Sequence, residues 1–310
     1  MRAVRIHGYG GVDQLRIEDV PIPRPGPGEI LVQVAASTVN PIDCKMRSGA
    51  VQARLPLTLP ITLGCDFAGT VTELGDGVTR FRIGDEVYGY CGVQRDGSYA
   101  EYVALPAEHA ALRPRQISML ESAAVALASL TAYVAVFEDA GLKKGQRVLI
   151  HAAAGSVGSM AVQLAKEAGA IVYATGSAGS ADLIRSLGAD VVIDYRSQKV
   201  EDVARDLDVV LDAIGGETGA RSWACLRPGG FMACIVTPPD AALMQRHQCR
   251  GVRSNARPDG ALLEKFAALV DAGQLRPIID RVLPLDEIRE AHRLSETGHM
   301  HGKIVLRVLA

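Results

Sequence analysis

Ala153, Gly155 and Gly158 are the residues whose types and spacing first suggest a chemistry. They lie in RVLIHAAAGSVG at 147–158, where an apolar run enters a small-residue turn. Val148, Leu149 and Ile150 have the character of a buried parallel strand. From Ser156 to Gly169 the spacing puts Val157, Met160, Ala161, Leu164 and Ala168 on one helical face. The three small residues occupy the glycine positions of G-x-G-x-x-G, with alanine in the first. Gly155 then admits a pyrophosphate close to the backbone, and Gly158 lets helix and strand pack tightly. The N–H groups of Ser156 and Val157 and the positive helix end face the phosphates. The alternative is a glycine-containing turn with no ligand.

The surrounding elements favour the dinucleotide. Apolar segments at 171–175, 190–194, 208–213 and 230–236 alternate with helical patterns at about 180–187 and 217–225. That alternation means a doubly wound parallel sheet. A chain of 310 residues, 48% hydrophobic and 22% charged, is long enough for two domains with separate cores. A net charge of −2 gives no reason to expect nucleic acid or an anionic membrane as partner. The uncharged run from Ser122 to Phe137 is shorter than the roughly 20 residues of a membrane span and reads as a buried helix. No apolar signal core opens the sequence, so the cytoplasm is expected. Six cysteines without a C-x-x-C pair argue against a disulfide framework and a structural zinc lobe and for reduced thiols. His299 and His301 read as a solvated turn rather than a metal pair.

Residues 1–105 read as β structure broken by turns, with strands at 2–6, 15–20 and 29–36. The connector PIPRPGPG at 21–28 has too few residues before it to close a core, so it is a turn within one barrel. VNPIDCKMRSG at 39–49, LGCDFAGTV at 63–71, FRIGDEVYG at 81–89 and GSYAEY at 97–102 follow. Downstream stand LTAYVAVFEDAGLKKGQRVLIHAAAGSVG, LIRSLGAD, VIDYR, AIGGE and GKIVL. Together these motifs resemble the zinc-free quinone reductase branch of the medium-chain dehydrogenase/reductase superfamily over nearly the whole chain. The resemblance implies an α/β protein with a GroES-like β-barrel catalytic domain at 1–120, completed by 256–310, and a Rossmann cofactor domain at 121–255. The amphipathic stretches 262–272 and 285–294 and a last strand at 303–308 agree with it.

Motif matching puts the zinc-ligand positions of metal-dependent relatives at Asn40, Cys65 and Leu127, of which one can ligate. Without a Lewis acid, an alkoxide on a carbonyl lacks its electrophile, whereas a quinone or enone spreads charge through its own conjugation. The expected activity is hydride transfer from NADPH to a quinone or α,β-unsaturated carbonyl. An enoyl-thioester reductase and a non-catalytic NADPH-binding regulatory or structural protein are the alternatives. The resemblance implies that Asn40 faces nicotinamide and substrate, that Thr131 contacts the nicotinamide ribose region, and that Cys44 and Cys65 line the substrate pocket. With no histidine near them in sequence, these cysteines lack a base for nucleophilic work. Lys303 aligns with a basic residue that reaches the pyrophosphate; the alternative is a solvated lysine. NADPH rather than NADH follows from the end of the second strand, where no acid precedes Asp182. Ser177 and Ser180 supply hydroxyls there, and Tyr195 matches a family tyrosine at the 2′-phosphate, with Arg196 beside it. Capping of the next helix is the other role for these serines. Relatives imply a homodimer through the sheet edge at 250–256, and no dedicated proton donor is visible.

Overall fold

The computed structural model describes residues 1–309. Contacts divide the chain into two compact units, residues 1–127 with 257–310 and residues 128–256.

The first unit opens with strands β1 (Arg2–Ile6), β2 (Arg16–Asp19), β3 (Glu29–Val39), β4 (Ile61–Thr62), β5 (Asp66–Leu74), β6 (Glu86–Tyr90), β7 (Tyr102–Pro106) and β8 (Ala110–Leu112). The Pro/Gly connector joins β2 to β3 inside this unit. Strand β3 runs three residues past the expected alternation because Ser37 and Thr38 find partners on both sides and Val39 pairs with Ile304. Helix α1 (Pro41–Ser48) follows at once. The Asn40 N–H donates to the Asp43 carboxylate at 2.8 Å, Pro41 presets the first turn, and left-handed Gly49 ends it.

Helices α2 (Met119–Ala123) and α3 (Ala126–Tyr133) run into a π-helical turn at Val134–Asp139. The helical run is therefore 21 residues, not the shorter segment expected, so length does not separate it from a membrane span. Burial does: 72% of its most apolar stretch is inside the protein, as a core helix requires.

The second unit carries one parallel sheet in the order β11-β10-β9-β12-β13-β14. Its strands are β9 (Arg147–Ile150), β10 (Ile171–Gly176), β11 (Val191–Asp194), β12 (Leu207–Asp212), β13 (Leu226–Cys234) and β14 (Arg250–Arg253). Helices α4 (Ser156–Glu167), α5 (Ala181–Ser186), α6 (Val200–Val203), α7 (Gly216–Ser222) and α8 (Ala241–His247) alternate with them. The strand order reverses between β9 and β12, and ligands of such sheets bind outside the carboxyl ends at that reversal. Trp223, Leu149, Val210 and Met232 pack in its core.

The chain then returns to the first unit with α9 (Gly260–Asp271), β15 (Ile279–Pro284), α10 (Ile288–Glu296) and β16 (Lys303–Arg307). Strand β16 lies antiparallel to β3, pairing Ile304 with Val39, so Lys303 arrives beside Asn40.

Candidate functional site

The turn after β9 is built by its backbone. Ala152 is left-handed at φ 50°, a conformation that costs a non-glycine residue about 1–2 kcal/mol and survives where its surroundings enforce it. The Ala153 N–H donates to the Thr175 carbonyl at 2.9 Å, and the Gly155 N–H closes the turn on the Ala152 carbonyl at 2.9 Å. Gly155 caps α4 with no side chain to offer, and the first helical bond is from the Ser159 N–H to the Gly155 carbonyl. The N–H groups of Ser156, Val157 and Gly158 thus lie in a first turn with no helical acceptor, as an anion cradle requires. A Cβ on Gly158 would lie 2.2 Å from the Ala152 carbonyl oxygen, so α4 meets the turn at a distance only glycine permits. Ala153, in the first fingerprint position, is fully buried; the special conformation has moved to Ala152.

At the carboxyl end of β10, Gly176 pairs with Asp194, and the Tyr195 N–H donates to the Gly176 carbonyl. Ser177 is partly exposed, Tyr195 is 53% exposed, and the Arg196 guanidinium stands over the Tyr195 ring at 5.6 Å. Hydroxyl, phenol and guanidinium therefore follow the carboxyl ends of the adjacent strands β10 and β11. Ser180 touches that group through its hydroxyl, 3.2 Å from the Ser177 hydroxyl. It is buried, and its hydroxyl donates inward to the Ser177 carbonyl at 2.9 Å. Neither serine makes a side-chain cap bond, so capping does not explain Ser177.

A second polar constellation lies inside the first unit. The Lys303 ammonium and Asp66 carboxylate form an ion pair at 2.8 Å with both side chains buried. Lys303 also donates to Thr38 Oγ1 at 3.1 Å and to the Asn40 amide oxygen. Asn40 Nδ2 and the Thr38 hydroxyl donate to the same Asp66 oxygen, and the Leu127 N–H donates to the other at 2.6 Å. Beside this, Asp43 is fully buried and pushed up to about 6 by desolvation, while accepting from the Asn40 N–H and the Cys65 thiol.

These positions correct several expectations. Lys303 is not solvated, and its three donors are spent on Thr38, Asn40 and Asp66 rather than aimed at a pyrophosphate. Asn40 is buried and its amide joins that network. Cys44 and Cys65 do not line an open pocket. Cys44 packs in the apolar cluster with Leu285 and Ile288, and Cys65 donates to Asp43. Cys44 does have a histidine at hand: His292 Nδ1 lies 3.5 Å from its sulfur, brought there by α10. Burial pushes the thiol up to about 12, and it holds His292 down to about 3, helped by the Arg47 charge. Both are neutral at pH 7, so the pair is structural. Thr131 lies partly buried on α3.

Family models for an alcohol dehydrogenase GroES-like domain and a zinc-binding dehydrogenase match residues 26–115 and 187–306. The 2-methylene-furan-3-one reductase of Solanum lycopersicum is 35% identical over 99% of this chain and 79% of its own. The chloroplastic NADPH-dependent alkenal/one oxidoreductase of Arabidopsis thaliana is 34% identical over the same shares. The quinone oxidoreductase of Coxiella burnetii superposes with TM-score 0.91 at 33% identity, covering 100% of this chain and 99% of that one. The chain belongs to the quinone reductase-like branch of the medium-chain dehydrogenase/reductase superfamily.

For a member of this superfamily, what fills the zinc-ligand positions matters. At Asn40, Cys65 and Leu127 the structure holds an amide, a protonated thiol and an apolar side chain. Among the described residues, no group of three His, Cys, Asp or Glu side chains could hold a metal ion. What converges on those positions is the Lys303–Asp66 pair, with an Asp66 oxygen on the Leu127 N–H. The sequence carried one hint of it, an aspartate inside the apolar run from Ile61 to Val71, where a charge needs a partner.

Proposed function

We propose that this protein is an NADPH-dependent oxidoreductase that passes a hydride to a quinone or an α,β-unsaturated carbonyl without zinc. The observation that carries the reading is the pairing of a dinucleotide cradle after β9 with an ion pair, in place of a ligand set, at the superfamily's metal positions. The names of the plant relatives, which reduce an enone or use NADPH, support it.

The cradle fits the cofactor on its own terms: three first-turn N–H groups without helical acceptors, an N-cap without a side chain, and a helix seated against Ala152. Ser156, Val157 and Gly158 would hold the pyrophosphate through those N–H groups. Ser177, Tyr195 and Arg196 would take the 2′-phosphate, the guanidinium supplying the charge-assisted bond. When bound, the reduced nicotinamide supplies the hydride. The neutral thiols of Cys44 and Cys65 add no nucleophile, so the protein's part is binding, orientation and exclusion of water. A panel of quinones, enals and enones, scored by loss of NADPH absorbance, tests the reading; no turnover across the whole panel refutes it.

A homodimer through β14 goes with this reading. Among the described residues that strand pairs with β13 alone, and Val252 is 38% exposed on the open sheet edge. A sedimentation mass of a single 32.8 kDa chain at micromolar concentration counts against it.

A further inference from the structure

His151 follows β9 directly and is 1% exposed, yet both its ring nitrogens are used. Nδ1 lies 3.1 Å from Thr175 Oγ1, at the end of β10, and Nε2 lies 2.7 Å from Ser222 Oγ, on α7. The donors can be assigned along the whole chain of bonds. Ser222 donates to the Thr218 carbonyl at 2.7 Å, so its oxygen accepts from His151 Nε2–H. Nδ1 is then the acceptor and takes the Thr175 hydroxyl hydrogen, while Thr175 Oγ1 accepts from the Ala152 N–H at 3.3 Å. One tautomer satisfies every group.

We infer that His151 is a positioning residue of the dinucleotide cradle, whose imidazole, through Thr175 and Ser222, fixes the left-handed Ala152 against which α4 is seated. The inference rests on the dinucleotide reading of that turn. Ala152 is where the cradle is most demanding. Its carbonyl accepts from Gly155 and its oxygen lies 2.2 Å from where a Cβ of Gly158 would be, while its N–H is held by Thr175. Thr175 grips the turn twice, by hydroxyl to Ala152 and by carbonyl to Ala153. The imidazole orients that hydroxyl, and α7 anchors the imidazole from the far side of the sheet reversal. Burial lowers His151 to about 4, against the opposing charge of Asp212, so the ring stays in the neutral form the bonds require.

Because the tie acts on the pyrophosphate turn and not on the ribose end of β10, its loss should weaken NADPH and NADH alike. The experiment measures both dissociation constants, by quenching of Trp223 fluorescence or by calorimetry, for wild type, T175V, T175S, S222A, H151Q and H151A. Expected are losses of about tenfold for both dinucleotides in T175V and S222A, the scale of one hydrogen bond. Recovery to within about threefold of wild type is expected in T175S, with an unchanged NADPH to NADH ratio throughout. H151Q, which keeps a side-chain donor, should bind more tightly than H151A. Wild type that binds neither dinucleotide would overturn the cofactor reading itself. Wild type that binds, with folded T175V and S222A binding equally well, would overturn the inference alone, as would a loss in T175V that T175S does not restore.

Discussion

Replacing Gly158 by alanine should damage both the fold and the site, and the geometry sets how much. The added Cβ would lie 2.2 Å from the Ala152 oxygen and 2.8 Å from the Ala152 carbonyl carbon and Ala153 Cα, all backbone atoms. To reach ordinary contact, helix and turn must separate by roughly 1 Å, in an interior packed to crystal density. Overpacking of this kind costs about 1–3 kcal/mol, which lowers the melting temperature by a few to about ten degrees in a unit of this size. The same displacement takes the first turn of α4 off the pyrophosphate, and such misplacement costs about a hundredfold in affinity or rate. Gly155 provides the control. Its φ is −76° and a Cβ there would lie 3.2 Å from the Ala152 oxygen, a tight contact that a shift of a few tenths of an ångström relieves, so G155A should melt closer to wild type than G158A. Its methyl group still stands where the pyrophosphate approaches, so affinity falls with a smaller loss of stability. Differential scanning calorimetry beside NADPH titration reads both axes. A G158A protein with wild-type melting temperature and affinity would refute the placement of the cradle.

The placement of Ser177, Tyr195 and Arg196 predicts tighter binding of NADPH than NADH, and R196A should cut that preference by about tenfold or more, the worth of a charge-assisted bond. S180A should leave the ratio unchanged because its hydroxyl is spent on Ser177; isothermal titration of both dinucleotides decides both points. Removing one member of the buried ion pair, as in K303M, should cost about 3–5 kcal/mol in urea denaturation by stranding the Asp66 charge. The K303M/D66L double variant should recover much of it, and additive losses would contradict the pairing. Folded His151 and His292 titrate near 4 and 3, below the unfolded value of 6.5, so their stabilisation is full above pH 6.5 and is lost on acidification, at about 1.4 kcal/mol per pH unit for each. Asp43, raised to about 6, opposes them between about 6 and 3.8 because its neutral form is favoured in the fold. Denaturation from pH 7 to 5 should therefore show falling stability in the wild type and a shallower fall in H292Q. Equal slopes would rule out a buried neutral His292.

The sheet and the cradle were legible because their signals are local. An apolar run, small residues at fixed spacing and a helical stripe lie within 147–169, and the strand–helix alternation repeats after it. The left-handed residue was not legible, since alanine gives no sign of it and the bonds enforcing it come from Thr175. Long-range contacts were the larger gap. Lys303 and Asp66 are 237 positions apart, Cys44 and His292 are 248 apart, and antiparallel pairing and helix packing bring them together. The solvated alternative for Lys303 and the lack of a histidine near Cys44 followed from local text, and the pyrophosphate role of Lys303 from the resemblance. The burial of Ser180 was not legible for a subtler reason: a serine beside a strand end points outward or inward according to the turn it enters, and here Gly176 leaves room for it to turn in.

The central claim is hydride delivery to carbon without a metal. It is tested by incubating chelator-dialysed protein, with its zinc content measured, with an enone and NADPH deuterated at the transferred position of C4, and locating the label in the product. The account predicts deuterium on the β-carbon at an undiminished rate with zinc far below one per chain. Label absent from carbon, or transfer that stops on chelation and resumes with added zinc, would contradict it.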